Sequence, residues 1–167
     1  MAKVTRKDGP GKMALLRLIR EAKDKHIKVG FLPSATYENG VPVAYIAIIH
    51  EKGCATKGIP PRPFLGPTID RCGKGWRSMA VKMAGQVLKG QMTITQMLEQ
   101  LGLVAAGNVA ETIAQKASPP LKEKTVEARK RKRLRGFKVG SFTKPLQESG
   151  VLFNSVTSSP VYEGKGE

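Results

Sequence analysis

Acidic side chains are scarce in this chain of 167 residues: thirteen Asp and Glu stand against twenty-nine Lys and Arg, a formal net charge of +16. An excess of that size predicts a polyanion or an acidic protein surface as neighbour and does not choose between them. Cysteine is nearly missing too. Cys54 and Cys72 are too few for a disulfide framework and too far apart for a redox pair, which points to synthesis in a reducing cytoplasm. Aromatic residues make up only 5%, few for a surface that stacks bases. No stretch approaches the roughly 20 apolar residues of a membrane span, and the opening MAKVTRKDGPGK has no signal-peptide core. The expectation is a protein neither secreted nor inserted in a membrane.

Several chemical signatures are missing as well. GKGW at 73–76 lacks the spacing of a phosphate-binding loop, and no glycine-flanked nucleophile elbow surrounds a serine or cysteine. His50-Glu51 invites a helical zinc reading, but the position four residues on is Cys54 and not a second histidine. His26, His50, Cys54 and Cys72 match no common metal spacing. The expectation is therefore no enzyme, no cofactor and no metal, with His50 in a structural role at a helix end. A metal-dependent hydrolase built on His50 and Glu51 is the remote third reading. Zinc-finger spacing and RNP-type aromatic patterns are also absent.

What is present resembles an ordinary domain, with 40% apolar and 25% charged residues. The length suits one core, so residues 1–167 are read as a single domain: a helix and strand core over 11–116, a basic loop insert over 129–144, and a C-terminal strand region over 145–167. Leu15, Leu18, Ile19 and Ala22 recur at helical spacing after Pro10, which predicts an amphipathic helix over 11–25. HIKVGFL alternates Ile27, Val29 and Phe31 and predicts a half-buried strand. PSATYENG ends in an Asn-Gly turn. VPVAYIAIIHEKG suits a strand or a helix; Pro42 at its start and Gly53 at its end favour the helix. WRSMAVKMAGQVLKG carries the strongest helical stripe. Thr93 and Gln96 have capping-box spacing and open another helix, ended by Ser118-Pro119-Pro120. A short helix over about 121–130 precedes the basic loop, and VLFNSVTSSPVYE reads as a strand returning beside residues 26–32.

Two segments stand out as binding candidates. Arg129, Lys130, Arg131, Lys132, Arg133, Arg135 and Lys138 form a basic run that suits a phosphate backbone or an acidic partner; the plain alternative is a solvated loop. In IPPRPF, Pro60, Pro61 and Pro63 donate no amide and hold the chain extended, so fixing the segment costs little entropy. Arg62 and Phe64 are residue types enriched at interface hot spots. Either the segment docks a neighbour or Phe64 packs on its own core.

The stretch VGFLPSATYENGVPVAYIAIIHEKGCATKGIPPRPFLGPTI resembles the central block of the neck and tail-completion proteins of long-tailed bacteriophages: Val-Gly-Phe, Tyr-x-x-Gly, His-Glu-x-Gly and Ile-Pro-x-Arg-Pro-Phe. SPPLKEKTVEARK and KPLQESGVLFNSV are similar to that family's second and third blocks, in the same order. Lys52 departs from the family's more usual aromatic, and the insert RKRLRGFKVGSFTK is unusually basic. The resemblance implies an α+β fold, a small antiparallel sheet flanked by several helices. It also implies a non-enzymatic virion protein that joins head to tail or completes the tail, as a ring of six copies around the DNA channel beside portal-side or tail-tube proteins. On that reading Ile59, Arg62, Pro63 and Phe64 lie at or support an inter-subunit contact, and residues 129–138 form a second contact or a DNA-proximal loop. The alternative is a basic nucleic-acid-binding module without base specificity.

Overall fold

The computed structural model describes residues 10–115 and 119–162. The alternation in HIKVGFL produces strand β1 (Lys25–Phe31), preceded by helix α1 (Pro10–Ala22). Then follow α2 (Val43–Lys52), a single 3-10 turn at Ala55–Lys57, α3 (Leu65–Leu88), α4 (Ile94–Gln115), α5 (Glu123–Leu134), α6 (Val151–Asn154) and β2 (Val156–Tyr162). β2 returns antiparallel to β1, with Phe31 opposite Val156 and Lys25 opposite Tyr162. The architecture is α+β in one domain, as expected. Pro160 is tolerated in β2 because a two-stranded sheet has only edge strands. Among the described residues, no helix is long and apolar enough to cross a membrane.

The punctuation read in the sequence acts as chemistry predicts. Gly40 adopts a positive φ of 77° in the Tyr37–Val41 turn. Thr93 and Gln96 cap α4 reciprocally: the Thr93 amide donates to Gln96 Oε1 at 2.9 Å, and the Gln96 amide to Thr93 Oγ1 at 3.1 Å. α4 then packs against both strands and along α3. Trp76 Nε1 donates to Asn108 Oδ1 at 2.9 Å, and Thr68 meets Thr112 at 2.6 Å, which ties α3 to α4 with satisfied polar groups. The core lies where α2, α4 and the C-terminal region meet: Val43, Ala47, Phe64, Val109, Ile113, Leu146 and Leu152. Phe31 packs edge-on against Phe64, ring centres 6.1 Å apart.

Three boundaries and the burial of one helix face differ from expectation. α3 begins at Leu65, well ahead of WRSM, because Gly66 and Pro67 occupy its first turn, where a missing amide is harmless. α5 continues to Leu134, so the first part of the expected 129–144 loop is helix. No glycine or proline interrupts EKTVEARKRKRL, and its basic last turn complements the helix dipole. The expected strand region 145–167 opens instead with turns and then α6, and among its described residues strand covers Val156–Tyr162. Finally, α1 leaves Met13, Leu15, Leu16 and Ile19 exposed, so much of its apolar stripe is not buried in the domain. The readings of the leader at 1–9, of the helix end at 116–118 and of residues 163–167 lie outside the described residues.

Gly102 is where α4 comes closest to the sheet. A Cβ there would sit 2.6 Å from Ile27 Cγ1 and 2.8 Å from Ser158 Cβ, whereas one at Gly107 on the same helix would meet nothing within 4 Å. Gly102→Ala is expected to destabilise by about 1–3 kcal/mol through overpacking. Gly107→Ala should raise stability by roughly 0.5–1 kcal/mol. Urea unfolding of both variants checks this, and equal shifts would refute the close approach.

Candidate functional site

The His-Glu-x-Gly motif closes α2 and turns the chain back. Gly53 has φ of 76°, and a Cβ there would come within 2.8 Å of the Pro61 nitrogen, so only glycine lets the proline segment return so close. The return is hydrogen-bonded along its length. Cys54 and Ile59 exchange amide bonds of 2.8 and 2.9 Å, and the Arg62 amide donates to the His50 carbonyl at 2.7 Å. Pro60, Pro61 and Pro63 bring no amides; those of Ile59, Arg62 and Phe64 are all bonded.

Glu51 completes the turn. Its carboxylate accepts the amides of Phe64 at 2.7 Å, Leu65 at 3.2 Å and Gly66 at 3.5 Å. Those are the orphan donors at the start of α3, and Pro67, next in line, has none. A carboxylate from one helix thus caps the next and lies on the favourable end of its dipole.

Two buried arginines extend this scaffold. Arg62, 5% exposed, donates from Nε to the Pro119 carbonyl at 3.0 Å and from Nη2 to the Pro120 carbonyl at 3.3 Å. Arg129, 6% exposed, donates from Nη1 to the carbonyls of Ser141 and Lys144, both at 2.8 Å. Its Nε lies 3.7 Å from Glu148 Oε2, within ion-pair but beyond hydrogen-bond reach. The loop it holds is braced by amide bonds from Gly140 to the Glu148 carbonyl and from Ser141 to the Gln147 carbonyl, while Gln147 Nε2 donates to the Ala114 carbonyl. His50 belongs to the same centre, with Nδ1 buried and without a hydrogen-bond partner. Burial first, then Arg62 and Arg129, lowers its pKa below the ordinary value. Burial and the Glu148 carboxylate raise that of Tyr37.

The expected interface residues separate into two groups. Phe64 is fully buried in the chain's own core and Arg62 is buried against Pro119 and Pro120, so neither presents its side chain to a neighbour. Of the two roles weighed for IPPRPF, these side chains take the internal one, because the bend at Gly53 directs them beneath the segment. Pro63 is half-buried, and Ile59 lines a shallow depression of about 450 Å³ with Pro60, Pro61, Ala55, Lys52 and Lys122.

The basic run is likewise split. Arg129 is internal, which corrects its place in the outward-facing set. Lys130, Arg131, Lys132, Arg133, Arg135 and Lys138 are exposed. Arg131 pairs with Glu127 at 3.8 Å, Lys132 with Glu148, and Arg133 Nη1 donates to the Val139 carbonyl at 3.2 Å. Sequence reasoning missed Glu51 as a cap, because its amides lie thirteen to fifteen residues away. It also missed Leu134 and Phe137, exposed at 86% and 63%; two apolar residues inside a basic run were the available signal. His50 and Glu51 face arginines and amides respectively. Among the described residues, no group of three or more His, Cys, Asp or Glu is placed to hold a metal. Comparison with family models, curated proteins and solved structures found no match to this chain.

Glu51→Ala is expected to destabilise by about 1–2 kcal/mol as α3 loses its cap, a fall in midpoint of roughly 2–8 °C for a chain of this size. Thermal unfolding followed by circular dichroism checks it. The lowered pKa of His50 favours its neutral form in the folded chain, so the unfolded chain takes up a proton first as pH falls. Its contribution is full above about 6.5, the unfolded value, and is lost as pH drops from there towards the folded value. Urea titrations at pH 7.5 and 5.5 should show a smaller loss for His50→Gln than for the parent; equal losses would refute the assignment.

Proposed function

We propose that the chain is a non-enzymatic structural subunit of a tailed-bacteriophage neck or tail, acting in head-to-tail joining or tail completion. It works as a ring of six copies around the DNA channel, in the virion, beside portal-side or tail-tube proteins. What carries this reading is that the residues of the three resembling blocks are mechanically one unit. The first block supplies Glu51 and Arg62; Arg62 grips the second at Pro119 and Pro120, and Arg129 of the second grips the third at Lys144. Motif residues committed to holding architecture suit a part in an assembly. Exposed apolar surface supports the same reading: fourteen large apolar side chains are exposed among the described residues, against ten buried apolar residues of which two are alanines. Eleven of them lie on α1, α2, α3 and α4, so several faces call for neighbours. Within such a ring Arg62 and Phe64 support the contact from beneath, and Ile59, Pro60 and Pro61 offer the surface.

A second reading is favoured by the exposed cations of residues 130–138, at the end of α5 and just beyond it. Six of them can follow a phosphate backbone without reading bases, which makes a sequence-independent nucleic-acid-binding module.

Electron microscopy of particles from a phage with a nonsense mutation in this gene separates the two. Filled heads lying apart from finished tails establish joining, and heads with absent or misformed tails establish tail completion. Normal infectious particles refute the structural reading. For the second reading, duplex affinity should fall steeply between 50 and 200 mM salt, by roughly 10³-fold or more if about six phosphates are contacted. A flat salt response removes it.

A further inference from the structure

The end of α5 carries a feature that neither a ring contact at the proline segment nor phosphate binding uses. Gly136, with φ of 85°, closes the helix: its amide donates to the Arg133 carbonyl at 3.0 Å and the Phe137 amide to the Lys132 carbonyl at 3.1 Å. This pair of bonds is the Schellman arrangement, which fixes the residue after the glycine in space. That residue is Phe137, 63% exposed, and beside it Leu134 is 86% exposed, the most exposed large apolar side chain among the described residues. Val139, two residues on, is buried at 4%, and Arg133 donates to its carbonyl, so the tip is anchored on both sides. Arg131, Arg133, Arg135 and Lys138 flank the two apolar residues in the chain, and all four are exposed. Between residues 128 and 147 there is no Asp or Glu.

We propose that this tip is a preformed plug for a pocket on a different protein, with an apolar floor that takes Leu134 and Phe137 and an acidic rim that meets the arginines. The pattern is an apolar centre within a charged rim, with Arg and an aromatic as anchors. Because the tip is already fixed, little ordering cost opposes docking. Duplex nucleic acid held only through phosphates gives Leu134 nothing to bury against, and leucine does not stack on bases. A second copy is the poorer occupant. Its net charge of +16 repels, and exposed carboxylates such as Glu21, Glu38, Asp70, Glu99 and Glu123 are scattered over separate elements and not gathered beside an apolar floor. The inference stands apart from ring formation and does not rest on it.

The test uses the full chain and three probes: a helical peptide of glutamate and leucine, poly-glutamate, and a 20-base-pair duplex. Leu134→Ser with Phe137→Ser should weaken the glutamate–leucine peptide by at least about tenfold, the scale of losing interface anchors. Affinities for poly-glutamate and duplex should stay within about twofold, since they depend on charge alone. Leu134→Met with Phe137→Tyr should restore peptide binding. Unchanged peptide affinity in the serine variant overturns the proposal. A parallel loss of duplex affinity assigns the tip to nucleic acid, and a change in sedimentation assigns it to contacts between copies; either also overturns it. A clear drop in thermal midpoint would mean that the two side chains pack within the domain, and this too is refutation.

Discussion

One carboxylate decides how the centre of this domain is built. α3 starts with Leu-Gly-Pro and has no side chain of its own to cap it, yet Glu51, at the end of α2, receives its first amides. A helix beginning with glycine and proline would otherwise fray, since early amides left unpaired favour solvent over the core. With Glu51 in place the end of α2 is fixed over the start of α3, and residues 53–64 must close a tight return. The left-handed Gly53 and three prolines make that return possible, and Phe64 is delivered to the core against Phe31.

The buried arginines follow from the same geometry. Proline-rich and irregular segments leave carbonyls without helical or sheet partners, and a buried carbonyl left unpaired costs about 1–3 kcal/mol. A guanidinium offers several donors in one plane and can serve two carbonyls at once. Arg62 does so for Pro119 and Pro120, and Arg129 for Ser141 and Lys144. Their burial lowers the pKa of each, and both stay charged because arginine starts from so high a value. His50 is the group that yields: its own burial first, and then the two cations, favour its neutral form.

The remaining charge is left on the surface. A chain of +16 with few carboxylates is self-repelling, and the repulsion falls when a polyanion or an acidic protein is close. Exposed apolar side chains on α1, α2, α3 and α4 stand beside that charge, the surface on which the proposed assembly rests. The end of α5 combines the two in one rigid place.

Local chemistry was legible in the sequence. The alternation of β1, the Asn-Gly turn, the span of α2, the Thr93–Gln96 box and the return of β2 each depend on residues close in the chain or on simple periodicity. The motif residues were legible as important, but their roles were not. Arg62, Phe64 and Arg129 carry the side-chain types of interface hot spots and phosphate binders; whether such groups face outward depends on where a distant segment leaves carbonyls bare. The start of α3 was hidden for the same reason, since its cap is supplied from across the fold. The sequence by itself determined most of the elements, their turns and the basic surface, because those follow from neighbours a few residues apart. The tertiary structure alone decided which cations are internal and which apolar residues stay exposed, because a side chain's role is set by the partner that packing brings to it.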